Sequence, residues 1–132
     1  MNCLLDTCVF LWDAGDRKKL SRKASRATSR AADDDRLLLS VISCWEVAKL
    51  VQKNKLRLAL PVRDWLDKAL SRNGLELVNL TPGIAAESTE LPGFFTGDPA
   101  DQIIVATART MDLTVVTADQ CILEYSGVRT IW

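Results

Sequence analysis

Short apolar runs recur along this chain, each bounded by polar residues and each too brief for a helix. Asn2-Cys3-Leu4-Leu5, Leu37-Leu38-Leu39 and Thr114-Val115-Val116-Thr117 are the plainest. Between them lie longer segments in which apolar residues return at helical spacing, as in Val9, Phe10 and Trp12 or Ile103, Ile104 and Ala108. A continuous apolar run marks a strand buried on both faces, and strands that alternate with helices build a parallel sheet covered on both sides. The alternation therefore predicts an α/β fold in three layers, α/β/α, with a central parallel sheet. At 132 residues and 48% hydrophobic composition one core suffices, so a single domain over 1–132 is expected. No repeat, linker or low-complexity tract interrupts it.

Local signals divide the chain further. Asp98-Pro99-Ala100-Asp101 predicts a helix start, with Asp98 as N-cap and Pro99 at the first position, and the helix runs to near Asp112. Ser43-Cys44-Trp45-Glu46 has the Ser-x-x-Glu form of a capping box and is expected to open a helix through Val51. Pro61 fits the first turn of a helix carrying Val62, Trp65, Leu66 and Ala69. Leu75, Leu77 and Leu80 read as one strand, and Val128 to Ile131 as a last short one. Thr81-Pro82 starts a helix that ends near Leu91, before Pro92-Gly93. The segment Arg17 to Arg30, with seven Arg or Lys residues, predicts one exposed helix, followed by Asp33-Asp34-Asp35 as a loop.

The absence of histidine narrows the chemistry more than any total does. Ser-His-Asp hydrolysis, histidine-pair ribonuclease chemistry and His-ligated metals are all excluded. A hydrolase built from this sequence would rely on carboxylates and a metal ion that makes a nucleophile of water. The 17 basic and 17 acidic residues cancel, so any nucleic-acid surface must be local. Cys3, Cys8, Cys44 and Cys121 lack metal-site spacing and are expected to be reduced thiols of a soluble, cytoplasmic protein. No apolar run approaches the roughly 18 residues needed to span a bilayer, and no membrane association is expected.

Asp6 and Asp119 fall just beyond the carboxyl ends of predicted strands, the edge at which open α/β sheets form ligand crevices. Glu46 and Asp101 are expected in the first turns of helices whose starts open onto the same edge. Carboxylates crowded there would raise one another's pKa unless a cation compensated them, and hard oxygen donors suit Mg²⁺ or Mn²⁺. Each acid also has an ordinary structural reading. Asp6 and Asp98 cap helices, Glu46 closes the capping box, Asp101 complements a helix dipole, and Asp119 is a turn residue. Spacing alone leaves the two readings open.

The four pieces Leu4-Leu5-Asp6-Thr7, Ser43-Cys44-Trp45-Glu46-Val47-Ala48, Asp98-Pro99-Ala100-Asp101-Gln102-Ile103-Ile104-Val105-Ala106-Thr107-Ala108 and Leu113-Thr114-Val115-Val116-Thr117-Ala118-Asp119 occur in order over essentially the whole chain. Together they resemble a PIN-domain protein, in particular the VapC-type toxins of toxin–antitoxin pairs. The resemblance implies Mg²⁺- or Mn²⁺-dependent cleavage of RNA. It also implies a metal site of Asp6, Glu46, Asp101 and Asp119, with Asp98 beside them and Thr7 and Thr117 steadying the carboxylates. A cognate antitoxin and a homodimer are expected partners. The family often has His before the position of Asp98 and Arg after that of Asp101, where this chain has Thr96 and Gln102. Candidate RNA contacts are Arg17, Arg22, Lys23, Arg26 and Lys49, and Trp12, Trp45 and Trp65 are candidates either for base stacking or for the core. The alternatives are an RNA-processing PIN nuclease without an antitoxin and a receiver-like phosphoryl-transfer domain using Asp6. Cys8, two residues on from Asp6, stands where the latter usually has an acid.

Overall fold

The central strand β1 (Cys3–Leu5) has no exposed side chain, because helices cover both faces of the sheet, and it is paired on both edges. The computed structural model describes residues 1–132. In it β1 runs parallel to β2 (Leu37–Ser40) on one side and to β4 (Thr114–Val116) on the other. β3 (Leu75–Val78) extends the sheet beyond β2, and β5 (Thr130–Ile131) extends it beyond β4. All pairings are parallel and the order is β3-β2-β1-β4-β5.

The strand period of two distributes these residues between two cores. Cys3, Leu5, Leu37, Leu39 and Val116 meet Val9 and Phe10 of α1 (Thr7–Ala14) and Ala24 and Ala31 of α2 (Arg22–Asp34). Trp65, Leu66 and Ala69 of α4 (Val62–Leu70) pack against that core. Leu4, Leu38 and Val115 face the opposite way, onto Ile104, Val105 and Ala108 of α6 (Pro99–Met111) and Ile122 of α7 (Gln120–Glu124). The short α5 (Pro82–Ser88) lies on α6. α3 (Val41–Gln52) leaves the carboxyl end of β2 directly and touches α1 and α4 in one layer and α6 in the other. Gly74, at φ +81°, lets the chain enter β3 close to α2, where a Cβ would lie 2.3 Å from the Ala32 carbonyl oxygen. No helix is long and apolar enough to cross a membrane.

Several local expectations are corrected. The basic segment is two elements, a turn of 3-10 helix over Arg17–Lys19 and then α2, because the buried Leu20 adopts an extended backbone between them. Asp33 and Asp34 belong to the last turn of α2, not to a loop, and Asp35 is its C-cap. There is no capping box at Ser43. The N-cap of α3 is Ser40, whose hydroxyl accepts from the Ile42 amide, so Ser43 is buried inside the helix and Glu46 stands on its second turn. Pro61 is the N-cap of α4, Leu80 lies outside β3, and α5 stops at Ser88. The five-residue α7, opened by Asp119, is too short to show a period in the sequence.

Asp13, at the end of α1, is buried and accepts from two guanidinium groups, Arg17 Nη1 and Arg72 Nε. Arg17 also donates to the Ser25 and Ser29 hydroxyls at 3.1 Å, which ties α1 to α2 and to the connection before β3. Asp13 is the buried member and its arginines are partly exposed, so its removal leaves two adjacent guanidinium groups without their shared anion, a loss at the lower end of the roughly 3–5 kcal/mol typical of a buried pair. Asp13→Ala is therefore expected to lower the unfolding free energy by about 3 kcal/mol, read as a shift in urea midpoint at constant slope. A loss below about 1 kcal/mol would show that the cluster behaves as a surface pair.

Candidate active site

In this sheet β1 and β4 are neighbours whose chains lead away in opposite directions, to β2 and β3 on one side and to β5 on the other. Connections leaving their carboxyl ends diverge, and the gap between them is where open α/β sheets place a crevice. A cleft of about 410 Å³ opens there, lined by Asp6, Glu46, Asp98, Asp101 and Asp119. Asp6 follows β1 as the N-cap of α1, and Asp119 follows β4 as the N-cap of α7. Asp98 caps α6, Asp101 stands in its first turn, and Glu46 reaches the cleft from α3. The capping readings of Asp6 and Asp98 thus hold together with their convergence, and Asp119, read from the sequence as a turn residue, is a third cap, because helix starts ring much of the cleft.

Hydrogen bonds fix Asp6, the one buried acid of the cleft, and Glu46. Asp6 Oδ1 accepts from the Thr7 amide at 2.8 Å and Oδ2 from the Thr117 hydroxyl at 2.7 Å. Thr117 Oγ1 in turn accepts from the Asp119 amide at 2.9 Å, so one buried hydroxyl joins the ends of β1 and β4. The buried Thr7 hydroxyl donates to Glu46 Oε1 at 2.5 Å and is hydrogen-bonded to the Ser43 hydroxyl at 2.9 Å. Asp98 Oδ1 accepts from the Asp101 amide at 2.8 Å.

Other candidates separate. Lys49 lines the cleft, but Arg17, Arg22, Lys23 and Arg26 do not. Arg17 is engaged with Asp13, while Lys23 and Arg26 border a different depression beside Met1, Arg30 and Ile131. Trp65 packs edge-on against Phe10 and Trp12 lies against Trp132, whereas Trp45 is exposed at the cleft. Lys53 and Lys55, also on the cleft wall, escape a reading by helical spacing because they follow the end of α3. The signal for them is Asn54, a residue suited to a helix-ending turn.

Burial and mutual repulsion dominate the electrostatics. Burial pushes the Asp6 carboxyl above its ordinary value; the Thr117 and Thr7 bonds pull it back, and Asp119 and Asp98 push it up. Glu46 is raised by burial against the opposing Thr7 bond, with Asp98, Asp6 and Asp119 adding to the rise. Asp101 has no side-chain hydrogen bond and is pushed up to about 7, by burial first and then by Asp98, Asp6, Asp119 and Glu46. As it stands, no set of three acidic or cysteine side chains is closed tightly enough to hold a metal ion. The donors nevertheless fit a hard divalent cation, being all oxygen and lacking the charge that would relieve their repulsion.

Comparison with known proteins gives a consistent result. A PIN domain model matches residues 3–127. Ribonuclease VapC22 of Mycobacterium tuberculosis is 36% identical over 131 residues, covering 98% of this chain and 97% of that protein. The fold is similar to that in VapBC2 of Rickettsia felis bound to a DNA fragment from its promoter, with TM-score 0.74, 18% identity and coverage of 99% and 98% of the two chains. It is also similar to that in DNA-bound VapBC of Salmonella typhimurium, with TM-score 0.70, 18% identity and coverage of 99% and 97%.

An acid whose folded pKa is raised binds more protons folded than unfolded, so its contribution to stability falls as pH rises toward the folded value. For Asp101 that window runs from its ordinary value of 3.8 to about 7. The dipole of α6 favours a first-turn acid, but the raised pKa means that burial and repulsion outweigh it. In metal-free buffer Asp101→Asn is thus expected to raise the melting temperature by a few degrees at pH 8 and to leave it unchanged near pH 4. An equal shift at both pH values would show that charge is not the cause.

Proposed function

Since the chain belongs to the PIN-domain family, we propose that it is an endoribonuclease of the VapC kind, the toxin of a toxin–antitoxin pair. The observation that carries this reading is the convergence of Asp6, Glu46, Asp98, Asp101 and Asp119 at the β1/β4 switch point, in a chain 36% identical to a ribonuclease over nearly its whole length. The cofactor is Mg²⁺ or Mn²⁺, held by Asp6 and Asp101 with Glu46 and Asp119, and Asp98 beside them. Bound there, the ion supplies a Lewis acid for the phosphate and lowers the pKa of water. Its partner is a cognate antitoxin, in keeping with similar folds seen in VapBC assemblies.

The chain's own groups act as positioners around that centre. With both oxygens engaged, the Asp6 carboxylate is locked in one orientation and still keeps lone pairs for a ligand. Thr7 holds Glu46 in the same way across the cleft. The chain has no imidazole to deprotonate an RNA 2′-hydroxyl. The nucleophile is therefore water, whose oxygen bonds to phosphorus as the bond to the 3′-oxygen breaks. The water gives up one proton to a cleft carboxylate or to solvent, the departing 3′-oxygen takes one up, and the 2′-hydroxyl is a spectator.

Asp6→Asn or Asp101→Asn should reduce cleavage by roughly a hundredfold or more and abolish growth arrest on expression, with the fold retained by circular dichroism. Full activity in either variant, or cleavage that persists in EDTA, would sink the acidic-site mechanism. Growth arrest that co-expression of a neighbouring DNA-binding antitoxin fails to relieve would return the protein to RNA processing. Thr117→Val removes the bond to Asp6 at nearly constant volume and should lower the rate about tenfold or more, as loss of a supporting partner does.

Product ends test the nucleophile. Fragments should carry 5′-phosphate and 3′-hydroxyl groups, and an RNA with one 2′-O-methyl at the cut site should still be cleaved. Cyclic 2′,3′-phosphate ends would show that the 2′-hydroxyl attacks and that the proposed chemistry is wrong.

A further inference from the structure

Trp45 is the one tryptophan of this chain with no aromatic partner, since Trp12 lies against Trp132 and Trp65 against Phe10. It is 55% exposed, next to Glu46, on the wall of the acidic cleft. Lys49, one turn on, places its Nζ 6.0 Å from the centre of the indole ring and donates to Gln52 Oε1 at 2.8 Å. The helix then ends in a turn that brings two more cations to the same wall. Asn54 adopts φ +57°, its amide donates to Val51 O, and the Lys55 amide donates back to Leu50 O at 2.9 Å. This double return bond is the Schellman motif, and Asn tolerates its left-handed residue better than most side chains. Lys53 and Lys55 are both exposed and line the cleft with Trp45. None of the three lysines takes part in an ion pair.

A pocket of carboxylates repels a polyanion, so RNA must be held beside it by groups of opposite charge. An exposed indole bordered by unpaired lysines meets that need for a single strand, because every base has a face to stack and every nucleotide a phosphate to neutralise. We propose, building on the ribonuclease reading, that Trp45 is a specificity-determining stacking platform for an unpaired RNA base next to the cut site. Lys53 and Lys55 clamp the phosphates that lead away from it. A paired base cannot lie on the ring without leaving its helix, so the wall selects loops and single strands over duplex RNA. The same features disfavour a second copy of the chain as occupant, since lysine is depleted where proteins bury tryptophan against one another.

The test is binding, measured in EDTA by fluorescence anisotropy with a labelled oligouridylate and with an abasic ribose-phosphate strand of equal length. Wild type should bind oligouridylate at least about fivefold more tightly than the abasic strand, the lower end of what stacking contributes by alanine substitution. Trp45→Ala should lose that preference and bind both strands equally. Trp45→Phe, which keeps a ring, should retain most of it, and melting curves on both variants separate loss of contact from loss of fold. Lys53→Gln with Lys55→Gln should weaken both strands alike and reduce the slope of log K against log salt by about 1.4, near 0.7 per phosphate on single strands. A wild type with no preference for bases, or a Trp45→Ala variant that keeps one, would overturn the platform even if the protein cleaves RNA. A wild type that cleaves no RNA in Mg²⁺ or Mn²⁺ would instead overturn the ribonuclease reading. A concentration-dependent dimer that Trp45→Ala abolishes, with binding unchanged, would assign the ring to a second copy and likewise overturn the proposal.

Discussion

The Thr117 hydroxyl, donating to Asp6 and accepting from the Asp119 amide, is the contact on which the arrangement of the cleft depends. It joins the ends of two paired strands at the point where the ladder between them stops and the chains that leave them diverge. A carboxylate at that seam is buried and crowded by like charge, and both conditions favour its protonation. Two hydrogen bonds to the charged form work against this and fix the side chain in one rotamer. The Asp6 carboxylate is therefore held in place by the protein itself, at the expense of local stability.

That expense falls on a scaffold able to bear it. β1, β2 and β4 are buried on both faces, and their side chains alternate between two cores. Each fully buried Leu or Val contributes on the order of 1.5–3 kcal/mol relative to exposure, and the strands supply such residues on both faces. Repulsion among partly solvated acids is smaller, because solvent screens it. Four of the five acids, Glu46 excepted, also stand at helix starts, where the dipole and free backbone amides favour negative charge. The fold tolerates an unstable cleft by placing it where backbone groups already seek anions.

The sequence showed the sheet and the acids more clearly than it showed the helices around them. Leu37-Leu38-Leu39 and the apolar start are continuous because both faces are buried, and such runs survive any detail of packing. The α6 start was legible from Asp98 and Pro99 because cap and proline act within one turn. Ser43 and Glu46 misled because their spacing fits a cap, while Ser40, three residues earlier, holds that role and Ser43 is needed in the interior beneath Thr7. The basic segment misled because burial of Leu20, a tertiary event, breaks the helix that its local composition favours. Which tryptophan faces solvent was not legible at all, since burial of Trp12 and Trp65 depends on partners distant in the chain.

Charge follows the same logic. Equal numbers of acidic and basic residues suggest a neutral surface, yet the fold sorts them into a carboxylate pocket with a lysine wall. The sorting arises from two backbone devices. Strand ends that feed helix starts collect acids as N-caps, and the left-handed turn at Asn54 returns Lys55 to the end of α3. No arginine lines the cleft, and Arg72, Arg109 and Arg129 are paired elsewhere with Asp13, Glu87 and Asp112, so the unpaired lysines are the positive charge at the cleft. Unpaired ammonium groups on flexible stems neutralise phosphates without demanding one geometry. In the proposed reading the hydrogen-bonded Asp6 and Glu46 and the loose cations beside them divide the work of one site, the first setting where a bond is cut and the second what is brought there.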